Sequence, residues 1–171
     1  MFFYSKKDFI SYLLNLMSKL QSEMPNLKIT QIQIQKTIYI IYAYYLLYRT
    51  PICNINFETW RWGPVIYELW KEQTKYKGNN VPLDFDEKLY EKYLELWNNE
   101  VRICEVIIRF LMKLKTWDIV KICHEQTPWK KFYRPNRKNL MKDEDIINFH
   151  KVSSDNLFSY LNFILIKENL F

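Results

Sequence analysis

Asn56-Phe57-Glu58-Thr59-Trp60-Arg61-Trp62-Gly63-Pro64-Val65-Ile66-Tyr67-Glu68-Leu69-Trp70 holds three of the six tryptophans and one of the two glycines, and that glycine stands directly before a proline. Ile55 and Phe57 alternate with polar neighbours, and so do Trp60 and Trp62, but the pairs are out of phase by one residue. This predicts a short strand kinked near Glu58-Thr59. Pro64 has a fixed φ and no N–H, which suits the first turn of a helix and makes Gly63 the hinge between extended and helical chain. From Val65 onward, Ile66, Leu69 and Trp70 recur at helical spacing with Gln73, while Glu68, Lys71, Glu72 and Lys75 fall on other faces. Two readings stay open: a corner whose aromatics fill the core, or an aromatic surface presented to another protein.

Upstream, Thr30 with Gln33 makes a capping box, and the apolar run that follows is too long for an ordinary strand, although Ile32 and Ile34 alternate with glutamines. A helix over 31–48 is expected. Its second half, Ile38 to Tyr48, is apolar for 11 residues and carries five tyrosines, so it should be the buried central helix, with hydroxyls that need partners. Ser5-Lys6-Lys7-Asp8 opens an earlier helix, about 5–22, that buries Phe9, Tyr12, Leu13, Leu16, Met17 and Leu20 and turns Lys7, Ser11, Asn15 and Ser18 outward. It should end before Pro25.

Downstream of a loop at 77–82, Asp84, Asp86 and Glu87 head a helix carrying Leu89, Tyr90, Tyr93, Leu94 and Trp97. Asn98-Asn99 stands as an interruption before Ile103, Ile107, Phe110, Leu111 and Leu114 resume the spacing. Thr116 is placed to cap a helix with Ile119, Val120 and Cys123 inward, which Pro128 stops. Asp143-Glu144-Asp145 heads another helix, its charge suited to the macrodipole, and Ser153 or Ser154 caps a last one over about 154–168. The expected fold class is therefore mainly α: a single compact helical domain, 1–171, of about seven helices with a short β segment before the Pro64 helix.

Composition excludes several chemistries. Two widely separated glycines cannot build a P-loop or a dinucleotide-binding turn, and no G-x-S-x-G motif occurs. His124-Glu125 lacks the second histidine of a zincin, because residue 128 is proline, and three widely spaced cysteines suit neither a disulfide framework nor zinc. No metal or cofactor is expected, and no enzyme. The longest apolar run falls short of the roughly 20 residues that a membrane span needs. The N-terminus lacks a signal-peptide core, so a soluble cytoplasmic protein is expected.

Charge is uneven. Lys130, Lys131, Arg134, Arg137, Lys138 and Lys142 lie in a stretch with no acidic residue, and together they equal the net +6 of the whole chain. Interleaved with Phe132 and Tyr133, they suit contact with nucleic acid, or docking of an acidic protein. No groove-entering motif accompanies them.

Three blocks resemble one family. Thr30-Gln31-Ile32-Gln33-Ile34-Gln35-Lys36-Thr37-Ile38-Tyr39, then Phe57-Glu58-Thr59-Trp60-Arg61-Trp62-Gly63-Pro64-Val65, then His124-Glu125-Gln126-Thr127-Pro128-Trp129 are similar to successive motifs of the Panacea domain of SocA-like and phage-associated GepA-like antitoxins. The most specific is F-x-x-W-x-x-G-P-V; Lys36 and Tyr39 match a K-x-x-Y, and His124 with Trp129 an H-x-x-x-P-W. Trp62 departs from the aromatic or small residue usual there by its bulk. The similarity covers about 29–150, leaving the first and last helices as flanks.

The resemblance implies a mostly helical antitoxin that binds and neutralises a toxin encoded beside it. A second implied activity is that of an adaptor carrying the toxin to a AAA+ protease, and an operon autoregulator that binds nucleic acid is a further alternative. Lys36, Tyr39, Phe57, Trp60, Gly63, Pro64, Val65, Pro128 and Trp129 are then expected to build the core, and Arg61, Trp62, Tyr67, Lys71 and His124 to touch the partner.

Overall fold

Residues 3, 5–49, 53–152 and 156–170 are described by the structure, a computed structural model. In chain order it contains α1 (Lys6–Glu23), α2 (Gln31–Tyr48), the strands β1 (Glu58–Trp60) and β2 (Gly63–Val65), α3 (Tyr67–Gln73) with a 3-10 turn at Thr74–Tyr76, α4 (Glu87–Met112), α5 (Thr116–Glu125), α6 (Thr127–Phe132), α7 (Asp143–Val152) and α8 (Asn156–Lys167). The fold is mainly α, as expected. Eight α-helices are present among the described residues.

α2 is the centre, and α1, α3, α4, α5, α7 and β2 all pack on it. Its start is fixed by both halves of the capping box, Thr30 Oγ1 accepting from the Gln33 N–H while the Gln33 side chain accepts from the Thr30 N–H. From Ile38 to Tyr45 every side chain is buried. The tyrosine hydroxyls are satisfied one by one: Tyr39 donates to Gln126 Oε1 at 2.7 Å, Tyr42 to Asp143 Oδ2 at 2.8 Å, Tyr44 to Asn162 Oδ1 at 3.1 Å and Tyr45 to Glu100 Oε2 at 2.5 Å. Asp143 thus does more than offset a helix dipole. Burial raises its carboxyl pKa, and the Tyr42 hydroxyl partly opposes that rise.

α1 is capped by Ser5, which accepts from the Asp8 N–H, and it buries the expected stripe. Lys7 and Ser11 face solvent, but Asn15 and Ser18 do not. Asn15 exchanges two hydrogen bonds with the Asp86 backbone, at 2.9 and 2.7 Å, and Ser18 donates to the Leu83 carbonyl at 2.9 Å. Short polar side chains here tie the loop before α4 onto α1, a role that periodicity reads as exposure.

Four other boundaries differ from expectation. The interruption expected at Asn98-Asn99 is present one residue earlier, where non-helical dihedrals at Trp97 kink α4 into two helical segments. Thr116 lies inside α5, and Lys115 occupies the cap without a side-chain bond. Pro128 does not stop α5: Gln126 is already extended, and Pro128 sits in the first turn of α6, where its missing N–H costs nothing. The cap assigned to Ser153 or Ser154 lies outside the described residues.

The fourth difference is the corner. The chain at 58–65 is not one kinked strand followed by a Pro64 helix but a tight antiparallel hairpin pairing Glu58 with Val65, Thr59 with Pro64 and Trp60 with Gly63. Pairs in such a ladder alternate between hydrogen-bonded and open, and Thr59 points its N–H away from β2 to the Asn139 carbonyl at 2.8 Å. Pro64 therefore stands where no N–H is needed. The helix begins three residues later, at Tyr67.

Candidate functional site

The hairpin turn is Arg61-Trp62. Neither residue has a positive φ, and the left-handed step is taken by Gly63 at φ 94°. A side chain there would also collide: a Cβ on Gly63 would stand 2.9 Å from Lys36 Cε and 3.4 Å from Cys123 Cβ.

Three side chains of α2 staple β2 and α3 to the core. Gln31 donates to the Trp70 carbonyl at 2.8 Å. Gln35 accepts from the Ile66 N–H at 2.8 Å and donates to the Ile66 carbonyl, so its amide replaces a strand partner. Lys36, wholly buried, donates from Nζ to the Pro64 carbonyl at 2.7 Å. On the other side, residues 139–141 run along β1: Thr59 donates its N–H and its hydroxyl to the Asn139 carbonyl, and Met141 donates to the Phe57 carbonyl at 2.9 Å. A two-stranded hairpin alone is marginal in water. Here every edge is held.

Aromatic rings fill the space around these bonds. Trp60 lies 4.7 Å from Trp70, donates from Nε1 to Glu58 Oε2 at 2.6 Å, and accepts through its carbonyl from Trp129 Nε1 at 2.9 Å. His124, Trp129 and Tyr133 stack in sequence, with centroids 4.0 and 4.6 Å apart. Burial, then the Lys36 charge, push the His124 pKa down, while a hydrogen bond to the Arg61 backbone opposes the fall.

Lys36 is the electrostatic anomaly. Burial pushes its ammonium down from 10.5 to about 8, because the charge loses water, and the Cys123 thiol only weakly opposes this. The folded pKa lies below the unfolded one, so the unfolded chain binds more protons between about pH 8 and 10.5. The cost of the buried charge, about 3 kcal/mol, is fully present below pH 8 and relieved as pH rises through that window. From about pH 9 other groups oppose this gain, because burial holds the Cys53 and Cys104 thiols, and then the Tyr12 and Tyr45 phenols, above their ordinary values. The stability of wild type relative to Lys36→Met, read as the difference between their urea midpoints, should therefore rise between about pH 7.5 and about pH 9.5. A difference between the two proteins that stays constant with pH would contradict this.

Of the residues expected to build the core, Lys36, Tyr39, Phe57, Gly63, Pro64, Val65 and Pro128 are buried, and Trp60 and Trp129 half-buried. Of those expected to touch a partner, Arg61, Trp62, Tyr67 and Lys71 are exposed. His124 is half-buried, with one face on Trp129. Arg61 lies over the Trp62 ring at 4.5 Å, and Lys138 lies 4.6 Å from both the Trp60 and Tyr67 rings. The basic stretch divides: Arg134, Arg137 and Lys138 line one cleft with Arg61, whereas Lys131 pairs with Asp145 and, like Lys130 and Lys142, does not line it.

Sequence reasoning missed Trp117. It is 59% exposed and meets Trp62, 42% exposed, edge to face at 5.2 Å. The signal was a tryptophan two residues before Ile119, off the buried stripe of its helix. Gln31 and Gln35 were also missed as staples, although their i, i+4 spacing places both on one helical face.

Among the described residues no three histidine, cysteine or carboxylate groups come together as a metal site, and no helix is long and apolar enough to cross a membrane. A helical scaffold carrying a clamped hairpin with tryptophans at its tip is the class of architecture defined here. Residues 34–130, more than half of the chain, match the model of the family described as antitoxin SocA-like, Panacea domain, and the chain belongs to that family. The matched span runs from α2 into α6 and contains the whole hairpin. No curated protein and no solved structure matches the chain.

Proposed function

We propose that the protein is the antitoxin of a two-gene toxin–antitoxin pair, acting in the cytoplasm as one folded unit and neutralising its neighbour-encoded toxin by direct binding, with no bond-making chemistry of its own. The observation that carries this reading is the exposed Trp62–Trp117 pair on a rigid mount: large aromatics at a fixed position are what a protein interface uses as anchors. Membership of the antitoxin family supports it. Arg61, which lies over the Trp62 ring, and the exposed Tyr67 and Lys71 of α3 would add polar contacts.

Co-expression with the adjacent gene tests the proposal. The neighbour should arrest growth alone and be harmless with this protein present. Trp62→Ala with Trp117→Ala should keep the melting temperature within a few degrees yet weaken toxin binding by about 100-fold or more. A neighbour that is harmless by itself would remove the reading. Disappearance of the neighbour's product only when a AAA+ protease is intact would replace neutralisation by binding with delivery for degradation.

A further inference from the structure

Two cavities flank the hairpin tip, and Trp60 and Arg61 line both. One is a cleft of about 450 Å³ walled by Arg61, Arg134, Arg137 and Lys138 with Trp60 and Tyr133, and no acidic residue lines it. None of these four cations is in an ion pair among the described residues, although Lys131 nearby in sequence is matched by Asp145. The wall is ordered by the protein itself: Arg134 donates to the Lys131 and Tyr133 carbonyls, the Arg137 N–H to the Arg134 carbonyl, and Asn139 Nδ2 to the Phe132 carbonyl, with Asn136 at φ 62° turning the loop. Four like charges in one concavity whose lining holds no acidic residue form an anion attractor.

The second cavity, about 400 Å³, has mostly carbon walls from Ile32, Val65, Trp60, Trp62 and Trp70, with Arg61 and Lys77 also lining it and no acidic residue. Its Lys36 is buried with a single carbonyl as partner.

We propose that the two cavities form one recognition groove for a partner segment that carries carboxylates beside an apolar side chain, the carboxylates in the cationic cleft and the apolar group in the tryptophan cavity. The identity of that partner as a toxin rests on the function proposed above; the groove chemistry does not. A nucleic-acid strand fits less well. Its phosphates recur along a track and its bases need open ring faces. Here four cations converge on one cleft, Trp60 is covered by Trp70 and Lys138, one face of Tyr133 is taken by Trp129, and the adjoining cavity, although Lys36, Arg61 and Lys77 also line it, is walled mostly by carbon. The cationic wall, residues 134–138, lies beyond the span matched by the family model, and the hairpin lies within it.

The test measures fluorescence anisotropy of three labelled probes with the full chain: a peptide of glutamates flanking a leucine–phenylalanine pair, the same peptide with glutamines, and an oligothymidine. The glutamate peptide should bind most tightly. Arg137→Glu with Lys138→Glu should weaken it at least about tenfold, and so should Ile32→Glu, each with its melting temperature retained. Arg137→Glu alone, at an exposed side chain, serves if the double variant fails to fold. Equal binding of the two peptides, or tighter binding of the oligothymidine, would overturn the groove. The same variants are then co-expressed with the neighbouring gene. Full rescue by folded Arg137→Glu/Lys138→Glu would overturn the groove and leave the antitoxin reading standing, whereas failure of wild type to rescue would end that reading while the peptide arm still judges the groove.

Discussion

Phe57→Ala is expected to lower stability by about 3–5 kcal/mol, seen as a fall in denaturant midpoint with the slope unchanged. Phe57 is 1% exposed and is wedged between two tyrosines of α2, edge-on to Tyr39 at 5.2 Å and tilted against Tyr42 at 5.4 Å. Its carbonyl accepts from Met141, so one residue joins the hairpin to the central helix and to the loop behind it. Truncation removes a large buried area and leaves a void that two tyrosines, each pinned by its hydroxyl, are poorly free to fill. A cost under about 1 kcal/mol would mean that the hairpin is not seated on α2 in this way.

Gly63→Ala should be nearly as damaging, about 2–4 kcal/mol, from two causes that can be separated. The first is the left-handed backbone at φ 94°, which an L side chain resists. The second is the approach of Lys36, whose Cε and Nζ would lie 2.9 and 3.3 Å from the new carbon. Gly78 supplies the control: its φ is 81°, but nothing lies within 4 Å of a Cβ there. Gly78→Ala should therefore cost only the backbone strain, about 1 kcal/mol. Pairing Gly63→Ala with Lys36→Ala should return part of the loss, giving a favourable coupling of about 1 kcal/mol in a double-mutant cycle. Equal costs at the two glycines would show that the close approach is absent.

The same residues explain what could be read beforehand. α2 was legible because its start is a local device, Thr30 with Gln33, and its interior is apolar all round; neither depends on distant chain. The corner was legible in composition but not in shape. Gly63-Pro64 means a turn into a helix if only neighbours are considered, and here tertiary partners decide otherwise: Asn139 draws the Thr59 N–H outward, and Lys36 takes the Pro64 carbonyl. Pro64 is free to lie in a strand because the ladder asks nothing of its nitrogen. Asn15 and Ser18 escaped for the same reason, since their partners lie 71 and 65 residues away. For the site, Trp62 and Arg61 stood out as unusual residues at a turn. The cleft wall did not: that Arg134, Arg137 and Lys138 face Arg61 while Lys131 faces Asp145 is a matter of how one loop folds back on the hairpin.

The phenols of α2 have a consequence for how the molecule comes together and how far it can be trimmed. Four consecutive anchor points along one rod end in four different regions, at Glu100, Gln126, Asp143 and Asn162. Until all four arrive, the rod would have to submerge bare O–H groups, so no half-assembled form has a satisfied middle. Deleting residues 156–170 would strip Phe158, Leu161 and Leu165 from the interior and remove the Asn162 acceptor of the Tyr44 hydroxyl. The far end of the polypeptide, remote in sequence from the tryptophans, is in this sense part of their foundation.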